Sequence, residues 1–366
     1  MTNNKMAGLY IHIPFCLSKC PYCDFYSVKY GNEAAKEYKN AVIRNLRYYS
    51  ELYRNRKFDT VYFGGGTPIL LWREIIEILE HADVDSNAEI TVEANPCCSD
   101  KDNLSALRSG GVNRISFGVQ SLDDSILKCL GRRHNAITAV NAIKKASKCG
   151  FQNISADLML GVEGQCEKNV TDSIKQLSEL PVTHISAYML KIESGTPFAA
   201  RNLNLPSEDE TCNIYLSTVK ELSENGFGQY EISNFSKKGS RCRHNIKYWN
   251  SEEYLGLGPA AHSFLDGKRF YVERDLTGFL SAPHQVTVFE EESELTAAEE
   301  YAMLRLRLSE GLLLSEFDAR GGNSNELIQN TSYIPKEYYN YDGKRIFLTP
   351  SGFLVSNAVM GTLLGF

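Results

Sequence analysis

The segment Ile11-His-Ile-Pro-Phe-Cys-Leu-Ser-Lys-Cys-Pro-Tyr-Cys-Asp-Phe25 decides how this chain is interpreted, because it carries three cysteines, Cys16, Cys20 and Cys23. No fourth cysteine follows within the loop. Iron in clusters prefers soft sulfur ligands, and three thiolates on so short a stretch can bind one face of a cubane. The spacing therefore predicts a [4Fe-4S] cluster with one iron left open, and S-adenosylmethionine as the molecule that completes it.

Two other interpretations of these cysteines stay open. Cys20 and Cys23 form a Cys-x-x-Cys pair that could act as a redox dithiol, and His12 could join the cysteines at a zinc ion. A redox pair, however, needs no third cysteine four residues upstream. His12 lies in the apolar alternating run 10–13, which is typical of a strand and directs its side chain away from the cysteines. The cluster is favoured over both alternatives.

The composition is that of an ordinary globular protein. Its 366 residues are enough for two domains, since single cores seldom grow past about 250 to 300 residues. The net charge of -6, with no dense Lys/Arg block, argues against nucleic acid as a partner. No apolar run is long enough to span a membrane, and the first nine residues contain no signal-peptide core. We expect a cytoplasmic protein that contacts membranes at most peripherally.

Disulfide bonds are rare in the cytoplasm, so the ten cysteines are expected to be reduced. Six of them lie in stretches that suggest packing rather than chemistry: Cys97, Cys98, Cys129, Cys149, Cys166 and Cys212.

Short apolar segments alternate with helical patterns through the first 190 residues or so. This alternation predicts an α/β fold of consecutive βα units around a parallel sheet. Six units fit this length, whereas a complete eight-unit barrel takes around 250 residues, so we expect an open six-unit partial (β/α) barrel. The predicted strands are Tyr10–Ile13, Val61–Phe63, Ile90–Val92, Ile115–Val119, Ile154–Leu160 and Ile185–Leu190.

Polar residues lie where these strands end, which is the end that carries chemistry in βα barrels. Gly64-Gly-Gly-Thr-Pro68 follows the second strand, Glu93 and Gln120 close the next two, and Asp157 lies within the fifth. Each alone could be a turn, a cap or a satisfied buried carboxylate, but their equivalent positions favour a shared site. Glycine backbone can approach a methionine moiety closely, the carboxylates could bind an ammonium or ribose hydroxyls, and Arg132 could bind a carboxylate.

The pattern changes after residue 190. A helix is predicted from Ser207 to Glu224, followed by the strand-like segment Gly228–Phe235 and the dense group Arg241–Trp249. The acidic run Glu290–Glu294 is typical of a boundary, because adjacent like charges stay in water. We therefore predict three parts: a partial barrel at 1–205, a connecting segment at 206–290, and a C-terminal domain at 291–366.

The last part has the pattern of a small α+β, winged-helix-like module. Thr296 and Glu299 form a capping box that opens a helix to about Ser309. A hairpin through Tyr341–Lys344 and a final helix after Pro350 complete it. Its acidic surroundings favour packing or partner docking over DNA binding.

Together these residues resemble the radical S-adenosylmethionine superfamily, and within it the haem-chaperone family related to the oxygen-independent coproporphyrinogen III oxidase. The resemblance runs through nearly the entire chain, in the motifs Ile11–Cys16, Phe63–Pro68, Ser116–Ser121, Leu130–His134, Tyr230–Phe235 and Leu255–His262. It implies Cys16, Cys20 and Cys23 as cluster ligands. It also implies S-adenosylmethionine contacts at Tyr10, Gly65, Gly66, Thr67, Glu93, Gln120, Arg132 and Asp157. One departure is Val162-Glu-Gly-Gln165, where relatives often have a proline before the glycine, and only a local loop difference is expected.

The segment His244-Asn-Ile-Lys-Tyr-Trp249 matches a pattern associated with haem in the chaperone family. A histidine nitrogen is a common axial ligand of haem iron, and nearby aromatic rings and arginines suit a porphyrin and its propionates. Cys242 could serve as an alternative thiolate ligand. A lone histidine among aromatics is more often a hydrogen-bonded structural residue. The resemblance is what implies haem ligation by His244.

The favoured function is a haem chaperone that delivers haem to acceptor proteins. The alternative is a coproporphyrinogen III oxidase, a radical enzyme of porphyrin synthesis, and a third reading is a radical enzyme on an unrelated substrate. The oxidase is expected to have a further cysteine at the position of Phe25 and an N-terminal extension, whereas nine residues precede Tyr10 here. Whether the chain is an enzyme stays undecided. The partners implied are haem, haem-acceptor apoproteins including respiratory ones, a flavodoxin- or ferredoxin-type reductant, and a second copy of the chain.

Overall fold

The computed structural model describes residues 5–53, 56–290 and 295–366, and the following statements concern these residues. The strands are β1 (Lys5–Ile13), β2 (Phe15–Cys16), β3 (Val28–Lys29), β4 (Arg56–Gly65), β5 (Val84–Ala94), β6 (Arg114–Gln120), β7 (Asn153–Leu160), β8 (His184–Met189), β9 (Gly228–Gln229), β10 (Asn234–Ser236), β11 (Tyr254–Leu257), β12 (His262–Leu265), β13 (Lys268–Val272), β14 (Thr287–Phe289), β15 (Leu312–Leu313), β16 (Tyr339–Tyr341) and β17 (Arg345–Leu348). The helices are α1 (Asn32–Leu52), α2 (Trp72–Leu79), α3 (Lys101–Ser109), α4 (Asp124–Cys129), α5 (Ala136–Lys148), α6 (Glu167–Ser178), α7 (Glu208–Glu224), α8 (Arg243–Trp249), α9 (Leu276–Ser281), α10 (Ala297–Arg305), α11 (Leu314–Ala319), α12 (Ser324–Asn330), α13 (Pro350–Leu354) and α14 (Ser356–Leu364).

Six parallel strands, in the order β1-β4-β5-β6-β7-β8, form the centre of a twelve-stranded sheet. Each predicted barrel strand lies in one of these six, except that the predicted Ile185–Leu190 extends one residue past the end of β8 at Met189. The α/β fold and its six βα units are confirmed. Within the described chain the two end strands, β14 and β9, do not pair with each other, so the sheet stays open.

Side chains alternate along the central strands between an apolar outer face and a polar inner face. On β6, Ile115, Phe117 and Val119 are fully buried in the hydrophobic core, whereas Arg114 and Ser116 line an interior cavity. Successive side chains of a strand point to opposite faces, so this pattern covers the outside with helices and leaves polar groups inside. Parallel strands buried on both faces are usually apolar throughout, so the polar inner face marks a functional interior.

Segment 206–290 extends the central sheet at both edges, which the sequence did not predict. Strand β10 pairs antiparallel with β8 at one edge, and β11 pairs parallel with β1 at the other. The expected continuous strand Gly228–Phe235 is wrong, because a turn at residues 230–233 divides it into the antiparallel pair β9 and β10. Covering both edges satisfies backbone groups that exposed edge strands would leave unpaired. The proposed division at 205 and 290 stays a prediction.

The same segment fills the end of the barrel interior remote from the cysteines. The Tyr230 hydroxyl lies 2.8 Å from Nε2 of His184 on β8, and His244 Nδ1 lies 2.8 Å from the Thr60 hydroxyl on β4. All four side chains are buried. Residues from beyond the six βα units therefore complete the interior of the barrel.

The C-terminal part contains a three-stranded antiparallel sheet, β15-β17-β16, with α10 to α14 around it. Its first helix begins at the predicted Thr296–Glu299 capping box but ends at Arg305, earlier than expected. The hairpin at 341–344 joins β16 to β17, and the final helix is split at Val355 into α13 and α14. The winged-helix comparison stays a prediction. Residues 291–294 of the acidic run, like 1–4 at the start, lie outside the described residues.

Two features bear on the location and cysteine predictions. In the part of the chain that the structure describes, none of the helices is both long and apolar enough to cross a membrane. All ten cysteines are free, but Cys97 and Cys166 are exposed, so these two depart from the expected packing role.

Candidate cofactor site

A cavity of about 550 Å³ lies among the carboxyl ends of the central strands. Its lining brings together ten of the residues proposed from sequence: Cys16, Cys20, Cys23, Gly65, Gly66, Thr67, Glu93, Gln120, Arg132 and Asp157. Tyr10 and His244 are not part of the lining. Residues that are far apart in sequence thus meet in one place, as the strand-end pattern predicted.

The three cysteines lie on a loop whose backbone is bound to the glycine-rich turn after β4. The amide of Gly66 donates to the carbonyl of Ile13 at 2.8 Å, and that of Thr67 donates to the carbonyl of Phe15 at 2.8 Å. Within the loop, the Cys23 amide donates to the Cys20 carbonyl at 3.1 Å. The turn therefore holds the loop over the cavity.

Two side chains donate hydrogen bonds to cysteine sulfurs. The Thr67 hydroxyl lies 3.5 Å from Cys16 Sγ, and Arg132 Nη1 lies 3.4 Å from Cys20 Sγ. Such donors stabilise negative charge on thiolate ligands, and hydrogen bonds to sulfur also tune the potential of iron-sulfur clusters. The donor set therefore fits three cluster thiolates.

The zinc alternative gains no support from this geometry. Both ring nitrogens of His12 are occupied, Nδ1 by the Tyr10 hydroxyl at 3.0 Å and Nε2 by the Tyr26 carbonyl at 2.9 Å. Among the described residues, no three His, Cys, Asp or Glu side chains converge on a point where a single ion could bind. Tyr10 itself lies behind Gly64, with its ring close to where a Cβ on that glycine would be. Its proposed contact with S-adenosylmethionine stays a prediction.

Glycine is required at the turn because backbone approaches it closely. Gly65 has a φ of +109°, a conformation that favours glycine. A Cβ on Gly66 would lie 2.7 Å from the Phe15 carbonyl oxygen and 2.9 Å from that of Ile13. The glycine run therefore serves the cysteine loop as well as any ligand in the cavity.

Gly66→Ala is expected to lower the free energy of unfolding by roughly 1–3 kcal/mol, because the added methyl group must displace the backbone of the cysteine loop. Denaturant titration measures the change. Gly361→Ala is the matched control, since it occupies a helix and, apart from the neighbouring backbone of that helix, no described atom lies within 4 Å of its added Cβ. The control is expected to stabilise by about 0.5–1 kcal/mol. Equal effects of the two substitutions would contradict the close approach at Gly66.

Glu93 and Asp157 are two half-buried acidic residues that line the cavity. Burial is the largest cause that raises the pKa of Glu93, to about 7, and the charge of Asp157 adds to it. The Tyr62 hydroxyl at 2.8 Å and the Gly65 amide at 3.2 Å donate to the Glu93 carboxylate and act in the opposite direction. Burial likewise raises the pKa of Asp157, whose Oδ1 accepts from the Ser116 hydroxyl at 3.1 Å. A cationic ligand would favour the ionised form of both groups.

Arg132 has less freedom to bind a carboxylate than the sequence suggested. Its Nη2 donates to Asn95 Oδ1 at 2.7 Å and to the Gly118 carbonyl at 2.8 Å, and its Nη1 lies 3.4 Å from both Cys20 Sγ and the Tyr22 hydroxyl. Only its Nε is buried without a partner. In this arrangement the guanidinium joins the cysteine loop to the ends of β5 and β6.

Sequence reasoning missed Arg114, a second arginine of the cavity. It is 2% exposed, lines the cavity, and has Nε and Nη1 buried without a hydrogen-bond partner. The alternating pattern of β6 could have identified this arginine. Every second residue of the strand lines the cavity, namely Arg114, Ser116, Gly118 and Gln120. Two further lining residues come from segment 206–290. Asn245 lies within the segment His244–Trp249 that the sequence singled out, whereas no sequence pattern pointed to Arg274.

His244 lies outside the cavity and is completely buried. Its Nδ1 is 2.8 Å from the Thr60 hydroxyl, and its Nε2 is 2.8 Å from the Tyr248 hydroxyl. The ring stacks on Tyr62 at 5.3 Å, and burial lowers the pKa of His244 to about 3, so the ring is neutral. Glu89 accepts from the backbone amides of residues 243 and 244 and thereby caps α8. With both nitrogens bonded, His244 has the features of a structural histidine in this conformation.

Known families and proteins match most of this chain. The model of the Radical SAM superfamily matches residues 10–177, and that of the HemN C-terminal domain matches residues 293–355. The heme chaperone HemW of Lactococcus lactis is 34% identical, with 98% of each chain covered. The heme chaperone HemW of Bacillus subtilis is 32% identical, with 98% of this chain and 100% of the relative covered.

Among solved structures, coproporphyrinogen III oxidase (HemN) from Escherichia coli, described as a radical SAM enzyme, has a TM-score of 0.84. The alignment covers 99% of this chain and 90% of that chain, at 20% identity. At this identity the likeness shows that the fold is shared and nothing about activity.

Proposed function

This chain belongs to the haem-chaperone HemW family of the radical SAM superfamily, and from this premise we propose that it binds haem, a [4Fe-4S] cluster and S-adenosylmethionine and delivers haem to acceptor proteins. The observation that carries the proposal is the cavity. Its three cysteines, the two donors to sulfur and the acidic residues Glu93 and Asp157 lie together at the ends of parallel strands.

In this proposal each group of the cavity has a role. Cys16, Cys20 and Cys23 bind three irons, and the cluster when bound would supply a fourth iron with an open coordination position. Gly65, Gly66 and Thr67 present backbone to the methionine moiety, and Gln120 closes the site. Glu93 holds the ammonium group, Asp157 accepts from ribose hydroxyls, and Arg132 keeps the cysteine loop in place. Tyr10 supports the turn from behind.

The oxidase alternative is the weaker proposal because of the residue after the cysteine loop. Phe25 stands where that enzyme is expected to have a further cysteine, and it is 67% exposed at the entrance of the cavity. A phenyl ring cannot act as a thiol in catalysis or ligation. An exposed aromatic ring at a cavity entrance instead suits contact with a flat apolar ligand such as a porphyrin.

Haem ligation by His244 would require a conformational change. Its Nε2 can bind haem iron only after it leaves the Tyr248 hydroxyl, and its burial requires α8 to move as well. We therefore propose ligation by His244 only in an opened state of α8. Opening would break the hydrogen bonds at both ring nitrogens. The free energy gained from the iron–nitrogen bond must therefore exceed the free energy lost with these hydrogen bonds.

Haem titration tests the proposed function. The wild-type protein is expected to give a saturable shift of the Soret band. His244→Ala is expected to abolish or alter the shift, and His244→Gln, which can keep one hydrogen bond, should do the same while preserving the fold. Tyr248→Phe is expected to tighten binding, because it removes a competitor for Nε2.

The exposed His262, bonded to Glu290, supplies the control for this titration, since His262→Ala should leave the spectrum unchanged. An unaltered spectrum in both His244 variants would remove this residue from the ligand set and leave haem binding intact. Absence of any saturable shift in the wild-type protein would overturn haem binding itself.

Delivery of haem requires partner proteins and implies a cellular location. We propose haem-acceptor apoproteins as partners, respiratory ones among them, together with a flavodoxin- or ferredoxin-type reductant and a second copy of the chain. A cytoplasmic protein that reaches membranes only peripherally would fit these partners. The family relationship supports haem and its acceptors, and the remaining partners rest on the expectation from sequence.

A further inference from the structure

Two adjacent cysteines, Cys97 and Cys98, lie on a short turn after β5, outside the lining of the cavity. Their sulfur atoms are 3.8 Å apart, and Cys97 is exposed while Cys98 is half-buried. The turn is a single 3₁₀ turn, Pro96–Cys98, held by hydrogen bonds from the Cys98 amide and the Ser99 hydroxyl to the Asn95 carbonyl, both at 2.9 Å. The two thiols are therefore held side by side at the surface.

The surroundings of Cys97 favour its thiolate. The hydrogen bond between the two sulfurs is the largest cause that lowers the pKa of Cys97, to about 6, and the positive charges of Arg133 and Arg132 act in the same direction. The same hydrogen bond with Cys97, followed by burial, raises the pKa of Cys98, which stays a thiol. An exposed thiolate beside a protonated thiol is the arrangement of a nucleophilic and a resolving cysteine.

We propose that Cys97 and Cys98 form a thiol–disulfide exchange site for low-molecular-weight disulfides. The Cys97 thiolate attacks one sulfur of the disulfide, forms a mixed disulfide, and releases the other half as a thiolate. Cys98 then loses its proton and attacks the Cys97 sulfur, which closes a Cys97–Cys98 bond and releases the second half. The protein is oxidised by two electrons, and the small disulfide is reduced to two thiols.

A bond between adjacent cysteines would be strained and therefore labile. Consecutive Cα atoms are about 3.8 Å apart, whereas disulfides normally join Cα atoms roughly 4.4–6.8 Å apart. Strain makes a disulfide easier to reduce. The pair is thus suited to a reversible response to the thiol–disulfide state of its compartment.

The turn is connected to the cysteine loop through two residues, Asn95 and Arg132. Asn95 lines the cavity, accepts from the Cys98 amide with its carbonyl, and accepts from Arg132 with Oδ1 at 2.7 Å. Arg132 in turn lies 3.4 Å from Cys20 Sγ. A Cys97–Cys98 disulfide bond would distort the turn that Asn95 begins. Oxidation of this pair would therefore alter the contacts that Asn95 and Arg132 make with the cysteine loop.

Peptide mapping of the holoprotein tests the exchange site. Anaerobically reconstituted protein is treated with oxidised glutathione, free thiols are alkylated, and the peptides are identified by mass spectrometry. The wild-type protein should yield a Cys97–Cys98 disulfide that dithiothreitol reverses. Cys98→Ser should trap glutathione on Cys97, and Cys97→Ser should leave Cys98 unmodified.

Cys166 is the matched control, because it is exposed but has no adjacent cysteine. Cys97 should react about tenfold faster than Cys166, because its pKa is lowered and the thiolate is the attacking species. Equal rates at the two sites, or no glutathione on Cys97 in Cys98→Ser, would overturn the proposal. Both serine variants alter surface-turn side chains, and retention of the cluster chromophore verifies their fold. The outcome does not depend on whether the chain binds haem.

Discussion

Cys20→Ala is expected to abolish the brown iron-sulfur chromophore of anaerobically reconstituted protein. Two cysteines would remain for three irons, and the Arg132 guanidinium would lose the sulfur that lies 3.4 Å from its Nη1. Metal binding also depends on all ligand thiolates converging in the folded loop. Visible absorption together with iron and sulfide analysis measures the loss.

Cys212→Ala provides the comparison for this loss. Cys212 lies on α7, is half-buried, and does not line the cavity, so its variant should reconstitute like the wild-type protein. A chromophore retained by Cys20→Ala would show that the cysteine loop is not the cluster site. Loss in both variants would point to a general effect of substitution and would remove the support for this loop.

The affinity for S-adenosylmethionine is expected to fall as the pH drops below about 7. Glu93 must be ionised to hold the ammonium group, and burial raises its pKa to about 7. The groups facing it are Asp157, which raises this pKa, Arg114, which lowers it, and the hydroxyls of Tyr62 and Tyr10, which remain protonated. Below the pKa the ionised fraction decreases roughly tenfold per pH unit, and above it the affinity should be level.

Binding measurements between about pH 5.5 and 8.5 cover this range, since they extend on both sides of the Glu93 pKa. Glu93→Gln is expected to bind weakly at every pH, because an amide cannot ionise, and its affinity should lose the dependence on pH near 7. The amide oxygen can still accept from one of the two donors, the Tyr62 hydroxyl or the Gly65 amide, and the side chain keeps its size, so the fold is preserved. An equally steep pH dependence in Glu93→Gln would assign the titration to another group.

Much of the fold could be predicted because its signals are local. Alternation along each of the six central strands indicated their places, and the capping residues Ser207 and Thr296 begin helices α7 and α10 as predicted. The strand-end residues Glu93, Gln120 and Asp157 meet in one cavity because parallel strands in successive βα units end on the same side. These are consequences of repeated local geometry, which a single sequence records.

The departures have a common cause in contacts between distant segments. Segment 206–290 extends both edges of the sheet and places Tyr230 and His244 in the barrel interior. Arg132 donates to groups on three other segments, which occupies both of its terminal nitrogens. No periodic pattern or motif spacing in the sequence indicates either of these contacts.

By itself, the sequence determined the cysteine spacing, the order of βα units and the family resemblance, because each depends on residues near one another in the chain or on their order. Only the tertiary structure decided that Cys97 and Cys98 present adjacent sulfurs at the surface, that His244 is buried with both nitrogens bonded, and that Arg114 faces the cavity. Burial and hydrogen bonding depend on which distant segments pack together, and packing sets the pKa and accessibility of every reactive group.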